Sequence, residues 1–359
     1  MKDGEIYETR MKVYQIDPLT DARWSQLLQR HPRASVFHSV PWLETLRGTY
    51  GYEPVVFTTS PPHEKLRNGL LFCRVDSWLT GSRLVSLPFS DHCEPLCDSH
   101  DDAGFLLRSL QESLKPQRWK YLEMRTIDAA FLRAVNCPDF HPASAFSLHI
   151  IDLSPEITDV FRSFDYDSVQ RRIKRGDRAG LIEQRGRSDD QLRQFYALFE
   201  LTRSRHHLPP IPFSWFQNLI RHQSEALEIR LAYIDKTPIS AILTLRFKGV
   251  VYYKYGCSDR RFNRYGATPW LLWRAIADAK SAGMEKFDLG RTERDNVGLL
   301  TFKNNWVSNP QQLIYWRFPG TFFLDALGGW KLRVAKQMFS LMPKRFLRVL
   351  GELTYRHIG

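Results

Sequence analysis

The 359-residue sequence has no apolar run near the roughly 18 residues that a membrane-spanning helix needs. Its first residues, MKDGEIYETRMKVYQID, carry no apolar core of a secretory signal, which predicts a cytoplasmic chain. Cysteine is sparse. The five (Cys73, Cys93, Cys97, Cys137 and Cys257) are odd in number and scattered, which suits reduced thiols in a cytoplasm. Cys93, Cys97, His100 and Asp101 approach zinc-ligand spacing, but no second ligand pair stands at a matching distance, so no metal is expected. A Gly-x-Ser-x-Gly elbow, a Walker loop and a full Rossmann fingerprint are all missing.

What is present is an ordinary globular composition, 43% hydrophobic and 25% charged, with 10 Trp, 14 Tyr and 23 Phe. The length allows two domains of usual size, each with its own core. The formal charge is +12, which favours anionic partners: phosphate-bearing cofactors, tRNA or an acidic membrane surface. Eight Lys/Arg stand against two acids between Arg317 and Gly359, so this short tail carries half of the net charge. Its mixture of Phe, Leu and Trp with Lys331, Arg333, Lys336, Lys344, Arg345 and Arg348 suits an interfacial helix on anionic lipid, or a helix packed on the main body.

Periodicity predicts strands and helices in alternation as far as residue 145. Helices are expected at 21–29, at 39–46 with Ser39 as N-cap and Pro41 in the first turn, and at 102–114. A strand from Phe146 to Leu153 opens a second series. Helices follow at 156–178, 189–206 and 212–223, then strands at 228–234, 239–247 and 250–257, a helix at 269–282, and strands at 286–289 and 312–318. This is an α+β order, one plan used twice, and it divides the chain into residues 1–145, 146–319 and a basic helical tail, 320–359.

The chemistry concentrates between Val250 and Trp306, where a strand, a basic loop, a long helix and a polar strand end succeed one another. Lys303, between Phe302 and Trp306, has the surroundings of a partly buried cation that grips an anion or stabilises a transition state; a snorkelling lysine is the bland alternative. Asp288 and Arg291 flank Gly290, where a carboxylate could take a proton from an amine and a guanidinium hold an anion, or the two could close a turn as an ion pair. On a regular strand Tyr253 and Tyr255 share one face and Tyr252 the other, so two phenols would face substrate unless they are core. Asp91 and His92 form a polar loop suited to acceptor contact. Arg171, Lys174, Arg175 and Arg178 share a helix face that could bind diphosphate or an RNA backbone, or be a solvated face compensated by Asp165, Asp167 and Asp177. His206-His207 lead into a Pro-rich loop that reads as structural, or as a lid.

Four stretches in order, Val36-Phe-His-Ser-Val-Pro-Trp-Leu43, Leu87-Pro-Phe-Ser-Asp-His92, Tyr252-Tyr-Lys-Tyr-Gly256, and Phe287-Asp-Leu-Gly-Arg291 with Phe302-Lys303 and Trp306, resemble the GNAT acyltransferases. The two-unit arrangement resembles the Fem-type peptidyl transferases and the GNAT proteins with a BioF-like domain. The resemblance implies a tandem GNAT-like fold and acyl or aminoacyl transfer to an amine of an envelope or polysaccharide precursor, in a cleft between the units. It makes Lys303, Asp288 and Tyr253 candidate catalytic residues. Arg291, Tyr255, Asp91, His92, Arg171 and Arg175 become candidate substrate contacts. Acyl-CoA is the implied donor, with aminoacyl-tRNA as the alternative. In the GNAT pattern a loop of the form Arg/Gln-x-x-Gly-x-Gly/Ala holds the pyrophosphate on backbone N–H groups. The equivalent here is Arg261-Phe-Asn-Arg264-Tyr-Gly266-Ala267, with Arg264 where the first glycine would stand. A basic protein that binds nucleic acid or anionic membrane without catalysis is the reading from another class.

Overall fold

A computed structural model describes residues 11–78, 81–114, 119–128, 130–319 and 344–358. The first series runs β1 (Tyr14–Ile16), α1 (Ala22–Arg30), α2 (Val40–Tyr50), β2 (Glu53–Thr58), β3 (Leu70–Val75), β4 (Arg83–Ser86), α3 (His100–Leu114), β5 (Tyr121–Thr126), α4 (Phe131–Ala134) and β6 (His141–Asp152). After α5 (Ile157–Ser163) and α6 (Arg171–Arg178), the same succession returns. It runs β7 (Ile182–Gly186), α7 (Asp189–Arg205), α8 (Phe213–Gln223), β8 (Leu227–Ile234), β9 (Thr237–Phe247), β10 (Val250–Ser258), α9 (Ala267–Ser281), β11 (Lys286–Glu293), α10 (Val297–Asn304) and β12 (Gln311–Phe318). A last helix, α11, spans Lys344–Ile358. Residues 320–343, with Lys331, Arg333 and Lys336 of the expected basic tail, lie outside the described residues.

The local reasons are ordinary ones. The Ser39 hydroxyl accepts from Trp42 N–H at the start of α2, Pro41 occupies its first turn, and Gly51 closes it in the left-handed region. Ser188 and Gln191 form a capping box at α7. One expected helix is two. The stretch 156–178 breaks at Phe164, which is extended, and Asp165 restarts it by accepting from Ser168 N–H, so that a π turn over Tyr166–Gln170 precedes α6.

Twelve strands form one sheet in the order β1-β2-β3-β4-β5-β12-β6-β11-β10-β9-β8-β7. Within each series neighbouring strands are antiparallel until a helix crossover makes β4 parallel to β5, and β10 parallel to β11. The last strands of the two series are exchanged. β6 pairs with β11, and β12 lies between β5 and β6, so each series completes its sheet with a strand from the other. The helices α1, α2, α7 and α8 share one core on one face, rich in Trp24, Trp42, Trp215 and Phe216. The opposite face carries separate cores, one around α9 and one around α3.

Candidate active site

The site begins where two strands part. β10 and β11 are paired only from Val250–Lys286 to Tyr252–Asp288. Beyond that point both strands are irregular. In β10 the register against β9 slips between Tyr253 and Tyr255, leaving Lys254 as the extra residue of a bulge. In β11 the register against β6 slips between Asp288 and Arg291, with Gly290 at φ +75°. The two bulges face each other, and the strands diverge around a cleft of about 830 Å³. Its chemical end holds Asp91, Lys254, Gly290, Arg291 and Lys303, while its far end reaches the start of α9 at Gly266–Thr268.

The bulge corrects the tyrosine phase. A regular strand would put Tyr253 with Tyr255; the inserted residue reverses parity, so Tyr252 and Tyr255 pack on the core beneath α7 and α8, and Tyr253 on the core around α9. Tyr253 and Tyr255 both line the cleft nonetheless, from the parted edge of β10. Trp215 Nε1 donates to the Tyr255 hydroxyl at 2.9 Å. The Tyr253 hydroxyl lies so close over Gly256 that a Cβ there would stand 1.7 Å away, which explains the glycine.

Lys254, which sequence reasoning passed over, is at the centre. Its ammonium lies 3.2 Å from Asp91 Oδ1, 4.9 Å from the ring centre of Phe37 and 5.4 Å from that of Trp42. The two motifs of the first series, around Phe37–Trp42 and Ser90–His92, thus enclose a lysine of the second. Trp42 Nε1 donates to Ser90 Oγ at 3.0 Å, and the Tyr315 hydroxyl, on the exchanged strand β12, donates to the Asp91 carbonyl at 2.7 Å. Arg125 lies over the Tyr315 ring and donates to the Leu87 and Ser90 carbonyls.

Lys303 sits in the last turn of α10, a helix where the sequence reading had placed none. Val297-Gly-Leu-Leu-Thr is a poor helix-forming run by propensity, and Asn296, accepting from Leu299 N–H, starts it instead. The ammonium donates to the Gly290 and Arg291 carbonyls, both at 2.9 Å, which leaves one N–H for the cleft. Burial pulls its pKa down to about 8, against the pull of Asp91 and Asp288. Burial lowers Lys254 too, opposed by Asp91. Burial would raise Asp91, but Lys254, Arg291 and Lys303 outweigh it and hold the carboxyl below its ordinary range. The Arg291 guanidinium lies over Phe146 at 4.1 Å and Tyr315 at 5.1 Å, with its Nε 3.8 Å from Asp91 Oδ1. Gly290 admits this crowding: an added Cβ would stand 3.0 Å from Asp91 Oδ2.

Asp288 and His92 form the wall behind. Both are buried, with His92 Nε2 3.7 Å from Asp288 Oδ2, while Asp288 Oδ1 accepts from Gly290 N–H at 2.6 Å and so fixes the turn. Burial would lower His92, but Asp288 wins and its pKa is raised. Neither residue lines the cleft. The basic helix also turns mostly away. Arg171 pairs with Asp167 at 2.7 Å, Arg175 donates to the Arg264 carbonyl at 3.3 Å, and it is Arg172 that reaches the cleft. In the loop before α9, Arg261 folds back on Asp259 and Arg264 donates to the Tyr265 hydroxyl. Gly266 is left-handed and packs on the Arg172 carbonyl, where a Cβ would stand 2.4 Å away. Among the described residues there is no cluster of three or more metal-ligating side chains.

Residues 166–303 match the family model described as an Acetyltransferase (GNAT) domain. No curated protein matches the chain at a significant level. Among solved structures, one titled as the crystal structure of FemX aligns with a TM-score of 0.66 and 13% identity, over 86% of this chain and 97% of that one. The C-terminal domain of a putative lysylphosphatidylglycerol synthetase from Agrobacterium fabrum aligns with a TM-score of 0.54 and 14% identity, over 88% and 95%. A tandem GNAT protein from the clavulanic acid biosynthesis pathway aligns with a TM-score of 0.52 and 10% identity, over 86% and 99%. Residues 166–303 thus resemble a GNAT domain, and the fold as a whole is similar to those of the FemX structure and the tandem GNAT protein.

Proposed function

We propose that this chain is an N-acyltransferase that moves an acyl group from a thioester donor, acyl-CoA, to the amine of a cell-envelope or exopolysaccharide precursor, with its chemistry in the cleft between β10 and β11. The observation that carries the reading is the pair of facing bulges. They bring Lys254, Asp91, Arg291 and Lys303 to one end of a cleft whose other end is the N-terminus of a 15-residue helix. The amine attacks the carbonyl directly, with no covalent enzyme intermediate. Its nitrogen–carbon bond forms, the carbon–sulfur bond breaks, and the thiolate takes up the proton that the amine gives up. Lys303 directs its remaining N–H at the developing oxyanion, Arg291 and Asp91 orient the acceptor, and the Tyr253 and Tyr255 phenols border the path of the donor. Asp288 acts on this reading by holding Gly290 and His92. The two units divide near residue 145, apart from their exchanged strands.

The donor is tested by thermal-shift titration with acetyl-CoA and longer acyl-CoAs. Stabilisation that is lost when Thr268 is replaced by a bulky residue supports acyl-CoA. No stabilisation by any CoA would overturn it. One observation favours a second donor, aminoacyl-tRNA. Gly266 packs on Arg172 and Arg264 replaces a glycine, which narrows the backbone cradle for a pyrophosphate, whereas Arg172 and Arg205 place cations along the cleft where an RNA backbone could lie. Tight tRNA binding without CoA stabilisation selects that reading.

A further inference from the structure

The chemical end of the cleft has a charge imbalance that an amine acceptor does not relieve. Lys254, Arg291 and Lys303 face Asp91 at the cleft wall, while the second carboxylate, Asp288, lies behind that wall and is shared with His92 at 3.7 Å, so three cations and a histidine stand against two carboxylates. Lys254 and Lys303 side chains are largely shut from water, and uncompensated buried charge is costly. A simple amine entering as ammonium meets net positive charge and is repelled. Arg291 is different from the two lysines. Its guanidinium is held flat on Phe146 and Tyr315, it is partly open to the cleft, and among the described residues no hydrogen bond engages its side chain, since Asp91 lies beyond bonding distance at 3.8 Å. A planar fork held with its donors unspent is the geometry that takes a carboxylate or phosphate by two parallel bonds. Beside it, Asp91 offers a carboxylate whose Oδ1 already bridges towards Lys254 while its Oδ2 lies over Gly290.

On the acyl-transfer reading, we infer that the acceptor is a primary amine bearing its own anion a few bonds away, with the anion on Arg291, backed by Lys254, and the amine on Asp91. Such a zwitterion supplies the negative charge that the three cations lack and the positive charge that Asp91 can receive. It therefore enters as a neutral whole, with both of its charges matched; its ammonium gives one proton to solvent before the free amine attacks, and the departing thiolate takes up the second. A phosphate and a carboxylate satisfy the same fork.

The test uses the full chain with defined probes at constant ionic strength. Glycine, β-alanine and aminomethylphosphonate carry both charges; glycinamide and methylamine lack the anion; N-acetylglycine lacks the amine. Binding is read by calorimetry, and transfer by thiol release from acetyl-CoA. The zwitterions are expected to bind and to be acetylated, and glycinamide to be weaker by roughly tenfold to a hundredfold, the usual value of a charge-assisted bidentate pair. Arg291→Met should remove that discrimination, and Arg291→Lys restore it in part, with unfolding temperatures near that of the parent. Lys254→Met provides an independent check, lowering affinity for the zwitterions and raising that for methylamine, whose ammonium then meets one cation fewer. Comparing glycine with aminomethylphosphonate tells carboxylate from phosphate. Glycinamide acetylated as well as glycine overturns the inference and leaves acyl transfer standing. Selective zwitterion binding with no thiol release upholds the subsite and removes the acyl-CoA donor. Failure of every zwitterion to bind refutes the subsite.

Discussion

Replacing Lys303 by methionine should change how stability depends on pH, with a sign set by burial. An unfolded lysine releases its proton near its ordinary value of 10.5, whereas the folded one does so near 8. Between these values the unfolded chain holds a proton that the folded chain has already lost, so stability rises with pH across that window and is flat below it. Integrated from pH 7 to pH 10, the gain is about 2.5 kcal/mol. The methionine protein lacks this rise. Removing one charge also relieves Lys254, which lessens the variant's own slope and adds to the contrast. At pH 7 the variant gains from shedding a costly buried charge but leaves the Gly290 and Arg291 carbonyls without a donor, so its absolute stability is the less decisive quantity. Urea unfolding of both proteins at several pH values from 7 to 10 measures the contrast. The wild type should gain on the variant by about 2–3 kcal/mol over that range. Parallel stability profiles would refute the claim that burial pulls the Lys303 pKa well below that of an exposed lysine.

Three further outcomes follow from the same geometry. Gly256→Ala should cost about 1–3 kcal/mol by forcing the Tyr253 phenol aside, and Tyr253→Leu in the same chain should recover most of that cost, a coupling read by a double-mutant cycle. Tyr315→Phe removes the hydroxyl that holds the Asp91 carbonyl while keeping the ring beneath Arg291; stability should fall by about 1 kcal/mol, whereas turnover falls by more than that loss explains. If Lys303 acts as a cation, kcat/KM should decline as pH rises through about 8, and Lys303→Arg should move that decline upward because arginine keeps its proton; a decline at the same pH in both proteins would be falsifying.

The sequence made the order of elements readable because each carries its own signal. Ser39 with Pro41 starts a helix, Gly51 ends it, and the apolar runs of β8 and β9 are long. The polar end of β11 pointed to Arg291, and the aromatic neighbours Phe302 and Trp306 pointed to Lys303; the two meet in the cleft. Lys254 was not readable. A bulge inserts one residue without a local marker, and that residue, flanked by tyrosines, looks like the outward position of a plain strand. The same slip misassigned the faces of Tyr253 and Tyr255. The strand exchange was equally hidden, since β6 and β12 each have a suitable neighbour in either series and only tertiary pairing chooses between them. Arg172 escaped notice inside a run of basic residues because helical phase alone does not say which face meets the cleft. The π turn before α6 shifts that phase further.

The central claim, that donor and chemistry share the cleft between β10 and β11, is tested most directly by hydrogen exchange with and without acetyl-CoA, followed by mass spectrometry. Slower exchange is expected in the peptides covering 256–268 and 290–303, with the far strands β1 to β3 unchanged. Binding that protects only peptides outside these two stretches, or saturating acetyl-CoA that protects none, would contradict it.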